Sequence, residues 1–145
     1  MTSDLAARQA ALVAALVAVG DPPPGFDQAK LRVAAAALLR KRAGVVAGAW
    51  PLLAAGCDDW PAGFVAWAHG RVPEGGLRDG WDYARHLRTS GGLPDLAAIE
   101  LATREALLRY DGVHPPCPRR LPAVRRVGRT VVLGVSGRAY PLIRG

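Results

Sequence analysis

Ala123-Val124-Arg125-Arg126-Val127-Gly128-Arg129-Thr130-Val131-Val132-Leu133-Gly134-Val135-Ser136-Gly137-Arg138-Ala139-Tyr140-Pro141-Leu142-Ile143 is where this chain changes its grammar. Two-residue turns, Gly128-Arg129 and Ser136-Gly137, separate three short runs rich in β-branched residues, which is the pattern of consecutive hairpins. The runs 124–127, 130–135 and 138–143 therefore predict a C-terminal antiparallel hairpin or three-stranded sheet. The 130–135 run is almost wholly apolar, as a central strand or one covered on both sides would be. Pro141 cannot donate a ladder hydrogen bond, so its strand is expected at an edge.

Upstream of this tail the signals are helical. Residues 113–122 contain Pro115, Pro116, Pro118 and Pro122 and read as a linker without regular structure. Ser3 or Asp4 can cap a first helix carrying Leu5, Leu12, Leu16 and Val19, ending at Gly20 before a stiff Pro22-Pro23-Pro24 connector. Asp27 caps a second helix from Gln28 to about Ala49, and Pro51 interrupts or restarts it. Asp58 and Asp59 ahead of Trp60-Pro61 open a third segment through about His69. Residues 70–76 read as a loop. Asp79 caps a helix over 80–89 that Gly91-Gly92 ends. A last helix follows Leu93-Pro94-Asp95 and runs to Arg109, with Glu100–Arg104 and Glu105–Arg109 as exposed i,i+4 pairs. The expected fold is mainly α, a compact bundle of about five or six helices followed by the β element. The organisation is a helical domain over 1–112, the linker 113–122, and a basic tail over 123–145 packed on or extending the helices.

Charge follows the same division. Of the net +7, residues 111–145 hold seven arginines and a single acid, Asp111, whereas residues 1–110 are close to neutral. Cys57 and Cys117 are too far apart in sequence for a CxxC pair and no secretory context surrounds them, so reduced thiols in a cytoplasmic protein are expected. The apolar stretch 10–19 is too short to span a membrane, and Asp4 precedes Arg8 where a signal peptide would carry a basic cluster.

Catalytic chemistry finds no foothold. His69, His86 and His114 lack metal-ligand spacing, and neither cysteine falls at ligand spacing to one of them. Asp82 could serve as a base, but the sequence supplies no partner for it. The glycines between residues 70 and 80 come without a lysine or a preceding strand, so they form no phosphate loop. Leu133-Gly134-Val135-Ser136-Gly137 lacks the second glycine and the following helix of a nucleophile elbow, and reads as a turn. No catalytic residue, metal or cofactor is expected.

Three features suit binding. Trp50, Trp60, Trp67 and Trp81 crowd into 32 positions; they fill an alanine-rich core, or Trp60, Trp67 and Trp81 serve as interface anchors. Arg40-Lys41-Arg42 is a solvated helix surface or a contact for phosphate or an acidic partner. The tail offers Arg125, Arg126, Arg129, Thr130, Val132, Arg138 and Tyr140 as peptide- or partner-binding positions. Strand edges accept an extended peptide as an added strand, with residues 124–127 or 130–135 the expected docking edge.

The order of motifs between Arg32 and Ala106 resembles a known family. Ala49-Trp50-Pro51-Leu52-Leu53 is followed by Trp60-Pro61-Ala62-Gly63-Phe64-Val65-Ala66-Trp67, then Asp79-Gly80-Trp81-Asp82-Tyr83-Ala84 and Leu93-Pro94-Asp95-Leu96-Ala97-Ala98-Ile99-Glu100-Leu101-Ala102. This order is similar to that of the small bacterial proteins classed as a DNA-binding domain family, which accompany multinuclear non-heme iron-dependent oxidases. The resemblance implies a non-catalytic adaptor. Its partners would be a TIM-barrel oxidase that modifies a ribosomally made peptide, and the precursor peptide, whose leader can join a C-terminal β element as an added strand. The chain is shorter than the larger members, with no room for a second globular domain after the helices. The alternative is a nucleic-acid-binding module using the arginine-rich tail, although no recognition helix follows a short glycine turn.

Overall fold

In the computed structural model, which describes residues 2–17, 25 and 27–143, helices precede a C-terminal antiparallel sheet. The described helices are α1 (Thr2–Val17), α2 (Gln28–Ala49), α3 (Pro51–Gly56), α4 (Trp60–Ala68), α5 (Gly76–Ser90) and α6 (Asp95–Leu107). The strands are β1 (Leu108–Arg109), β2 (Cys117–Pro118), β3 (Ala123–Val127), β4 (Thr130–Val135) and β5 (Arg138–Ile143). The fold is mainly α with a three-stranded sheet at its C-terminal end, as the turn grammar implied. The expected helix stop at Gly20 and the proline connector lie outside the described residues.

Helix starts show where local rules hold. Asp27 Oδ1 accepts from the backbone N–H of Ala29 at 2.9 Å, the expected cap of α2. Asp4 instead sits within the first turn of α1, where it pairs with Arg8 at 3.6 Å. Asp59 occupies the N-cap position of α4 without a side-chain cap bond. Helix α5 starts four residues before the expected point, at Gly76 behind Gly75 with φ 93°, so Asp79 is a buried residue within the helix and not its cap. The proline-rich 113–122 stretch is not wholly irregular: β2 pairs with β1, which takes over from α6 at Leu108.

The chain divides into two compact units, Met1–Val45 with Asp59–Glu74, and Val46–Asp58 with Gly75–Gly145. In the first, Trp60 stacks on Phe64 at 5.2 Å and donates its Nε1–H to the Ala43 carbonyl. Arg42 donates to the carbonyls of Arg71 and Val72, while Arg40 and Lys41 stay exposed.

The second unit is built on two close approaches. At the α2–α3 junction, Trp50 is fully buried edge-on to Trp81 and donates to the Leu77 carbonyl at 3.0 Å. Gly80 lies against the Trp50 ring, where a Cβ would clash. Buried Glu100 accepts from the Leu53 N–H at 2.8 Å, in the first turn of α3. Arg104, paired with Glu100 at 3.8 Å, donates to the Ala49 carbonyl at the end of α2 and lies over Trp50. A carboxylate thus meets a helix N-terminus and a guanidinium a helix C-terminus, the arrangement helix dipoles favour.

The second approach sets α6 on the sheet, whose order is β3-β4-β5. Register places Ala123, Gly134 and Ala139 side by side across the strands. These small residues let α6 come down until a Cβ at Gly134 would strike the Ala106 carbonyl. Val132, Ala102 and Ala106 form the buried cluster between helix and sheet.

Candidate functional site

The two hairpins fix which backbone groups are free. In a two-residue hairpin the residues flanking the turn exchange hydrogen bonds, and alternate residues thereafter do the same. Val127 opposes Thr130, so Val127, Arg125 and Ala123 bond to β4, and the N–H and C=O of Val124 and Arg126 face away from it. Val135 opposes Arg138, so β5 turns Ala139, Pro141 and Ile143 to its outer side. Proline therefore removes a donor from the outer edge of β5, and β5 is an edge strand as expected. Strand β4 is central, with both sides paired, which withdraws residues 130–135 as a docking edge. Strand β3 keeps an open edge, and its turn Gly128 has φ 53°, the first-position glycine of a type II′ turn.

Beside β3 and α6 lies a groove of about 330 Å³. Leu93, Ala98 and Leu101 give it apolar lining, while Arg88 and Arg125 supply charge. Glu105 is the shared counter-ion: Arg85 and Arg88 each approach it at 3.3 Å and Arg125 at 3.9 Å. Three guanidiniums around one carboxylate leave this end of the groove cationic. Arg125 also donates to the Val124 carbonyl at 2.9 Å, so a side chain already satisfies one acceptor of the open edge. Sequence spacing predicts an exposed Glu105–Arg109 pair; the Glu105 carboxylate is turned instead to cations from α5 and β3.

The other expected site residues are scattered. Val132 has no exposed surface because α6 covers it, so it cannot contact a partner. Thr130 lies on the same sheet face. Arg129 sits in the first turn and Arg138 begins β5, whereas Tyr140 is 47% exposed on the opposite face. Trp81 is fully buried against Trp50 and Tyr110, and Trp60 is buried too, so both fill core; Trp67 is half-buried beneath Arg71.

Asp82 does have a partner. The Tyr110 hydroxyl donates to its Oδ2 at 2.9 Å, and burial raises its pKa against the lowering pulls of that bond, Arg85 and Arg78. Asp111 accepts from the backbone N–H groups of Val113 and His114 and meets His114 Nδ1 at 2.7 Å. These bonds, the side-chain one foremost, hold its carboxyl well below the usual range. Both arrangements close on themselves as local braces. Among the described residues no group of three or more His, Cys, Asp or Glu could hold a metal ion, and no helix is long and apolar enough to cross a membrane.

Residues 6–89 match the SCO6045-like, C-terminal domain family. A UPF0276 protein of Streptomyces avermitilis is 38% identical over 134 residues, which cover 89% of this chain and 27% of that one. The chain spans about a quarter of the length of this relative. No solved structure matches this chain.

Proposed function

We propose, for a chain that belongs to the SCO6045-like, C-terminal domain family, that it is a non-catalytic adaptor which takes an extended peptide onto the open edge of β3. The peptide is the leader of a ribosomally made precursor, and the enzyme served is a multinuclear iron-dependent oxidase. The observation that carries this reading is the open β3 edge bordered by a cationic groove. Added strands gain affinity from main-chain hydrogen bonds and specificity from pockets that take alternate side chains. Val124 and Arg126 supply the main-chain groups, while Arg88 and Arg125 on the groove side of the edge, and Arg126 on its other side, favour carboxylates. An incoming acidic residue would draw Arg125 off the Val124 carbonyl and free that acceptor. The motif order between Arg32 and Ala106 supports the choice of enzyme, and the Streptomyces relative supports a module that works beside a larger protein body.

The test is turnover of a precursor peptide by a purified multinuclear iron-dependent oxidase, with and without the chain. The chain should accelerate modification. Val124→Pro, which deletes one outward N–H, and Arg126→Glu should each lose that effect while keeping the parent melting temperature. Modification that proceeds equally well without the chain would sink the reading.

A further inference from the structure

The sheet has a second face that nothing described covers. Antiparallel partners project to the same side, and residues two apart along a strand share it. Gly134 and Val132 face α6, so Val131, Leu133 and Val135 of β4 face the other way. Val124 joins them from β3, and Tyr140 and Leu142 from β5. Val124, Tyr140 and Leu142 are 58%, 47% and 55% exposed, and the three β4 residues are only half-buried. A strand apolar on both sides has the composition of one covered on both sides. Helix α6 supplies one cover; the other is missing.

Charge decides what the missing cover is. Arg126 and Arg138 stand exposed on this face, by the same parity. From Gly112 to Gly145 there is no Asp or Glu. A second copy placed on this face would bring two more arginines into the interface, with no carboxylate on either sheet to pair with any of them. The complement is therefore a different protein surface, apolar at its centre and carrying carboxylates where Arg126 and Arg138 arrive.

We infer that this outer sheet face is the surface on which the chain docks to the oxidase, an assignment that rests on the adaptor reading above. It adds a division of labour: the broad face holds the enzyme, and the β3 edge, which borders that face, holds the peptide. A bound leader would then run along the rim of the enzyme interface.

Isothermal titration of the metal-loaded oxidase with the full chain tests this, using Leu142→Glu and Tyr140→Glu, both exposed positions away from the β3 edge. Each should weaken binding by about tenfold or more, as truncating a central interface anchor does. Rising salt should weaken the parent complex, and Arg138→Glu should flatten that dependence. Melting temperatures equal to the parent's would show that the variants fold. Unchanged oxidase affinity in all three overturns the assignment of the face and leaves the adaptor reading standing. An oxidase that ignores the parent chain overturns both. A dimer of the chain alone that Leu142→Glu splits would overturn the assignment in favour of self-association.

Discussion

Glu100 and Arg104 are spaced for an ordinary i,i+4 pair, and the structure uses them for something with larger consequences. Glu100 satisfies a backbone N–H in the first turn of α3 while Arg104 reaches the last carbonyl of α2. Burial pulls the Arg104 pKa down, and the Glu100 carboxylate beside it pulls it back up. Removing one member of such a pair strands the other. Glu100→Ala should cost about 2–3 kcal/mol in chemical denaturation, and Glu100→Gln, which can still accept from Leu53, distinctly less. Asp82 makes the opposite case. A carboxyl whose pKa is raised by folding destabilises the fold while ionised, and the penalty is relieved as pH falls below that raised value. Asp82→Asn keeps an acceptor for Tyr110 and drops the charge. Its melting temperature should equal or exceed the parent's near neutral pH, with the gap closing toward about pH 4. A variant that melts lower at neutral pH would show that ionised Asp82 is a net stabiliser.

Among the elements, the contact of α6 with the sheet is sensitive to a single atom. The row Ala123–Gly134–Ala139 keeps the sheet surface low beneath Ala102 and Ala106. Gly134→Ala should destabilise by about 1–3 kcal/mol, because the new methyl meets backbone and not a flexible side-chain end. Val131→Ala, on the other face of the same strand, should cost less, since Val131 is only half-buried. Equal losses would mean that the outer face is as tightly held as the inner one. Sequence reading placed all three C-terminal strands within a residue because glycine turns and β-branched runs are local signals. It misplaced the start of α5, since Gly75 at φ 93° begins a helix that Asp79 was expected to cap. Here packing of Gly80 against Trp50 outweighed a local capping preference.

For the molecule as a whole, the question is what the +6 charge of residues 111–145 is for. Part of it is spent internally. Arg119 donates to the carbonyls of Glu105 and Leu108, and Arg125 to Glu105 and the Val124 carbonyl. Arg126 and Arg138 stand beside the apolar residues of the outer sheet face, an arrangement suited to a protein or peptide complement. The chain should therefore show no retention of duplex DNA at about 50 mM salt, a condition under which phosphate-driven binding is strong. Clear retention there would restore the nucleic-acid reading.

The open edge of β3 was legible only in part. Pro141 ruled against one edge from the sequence, because a missing donor is a covalent fact. The sequence left residues 124–127 and 130–135 equivalent as docking strands, and only pairing on both sides of β4 separated them. The groove was hidden for a related reason: Arg125 lies far along the chain from Arg88 and Leu93, and no spacing rule joins them. The Trp group shows the same limit, since composition reports that four tryptophans exist, while packing decides that Trp50, Trp60 and Trp81 are core. By itself, then, the sequence determined the helices-then-sheet order, the hairpin register and the location of the charge, all set by interactions within a few residues. Tertiary structure alone decided which edge stays open, which sheet face stays bare and which cations Glu105 gathers, because those depend on where α6 comes to rest.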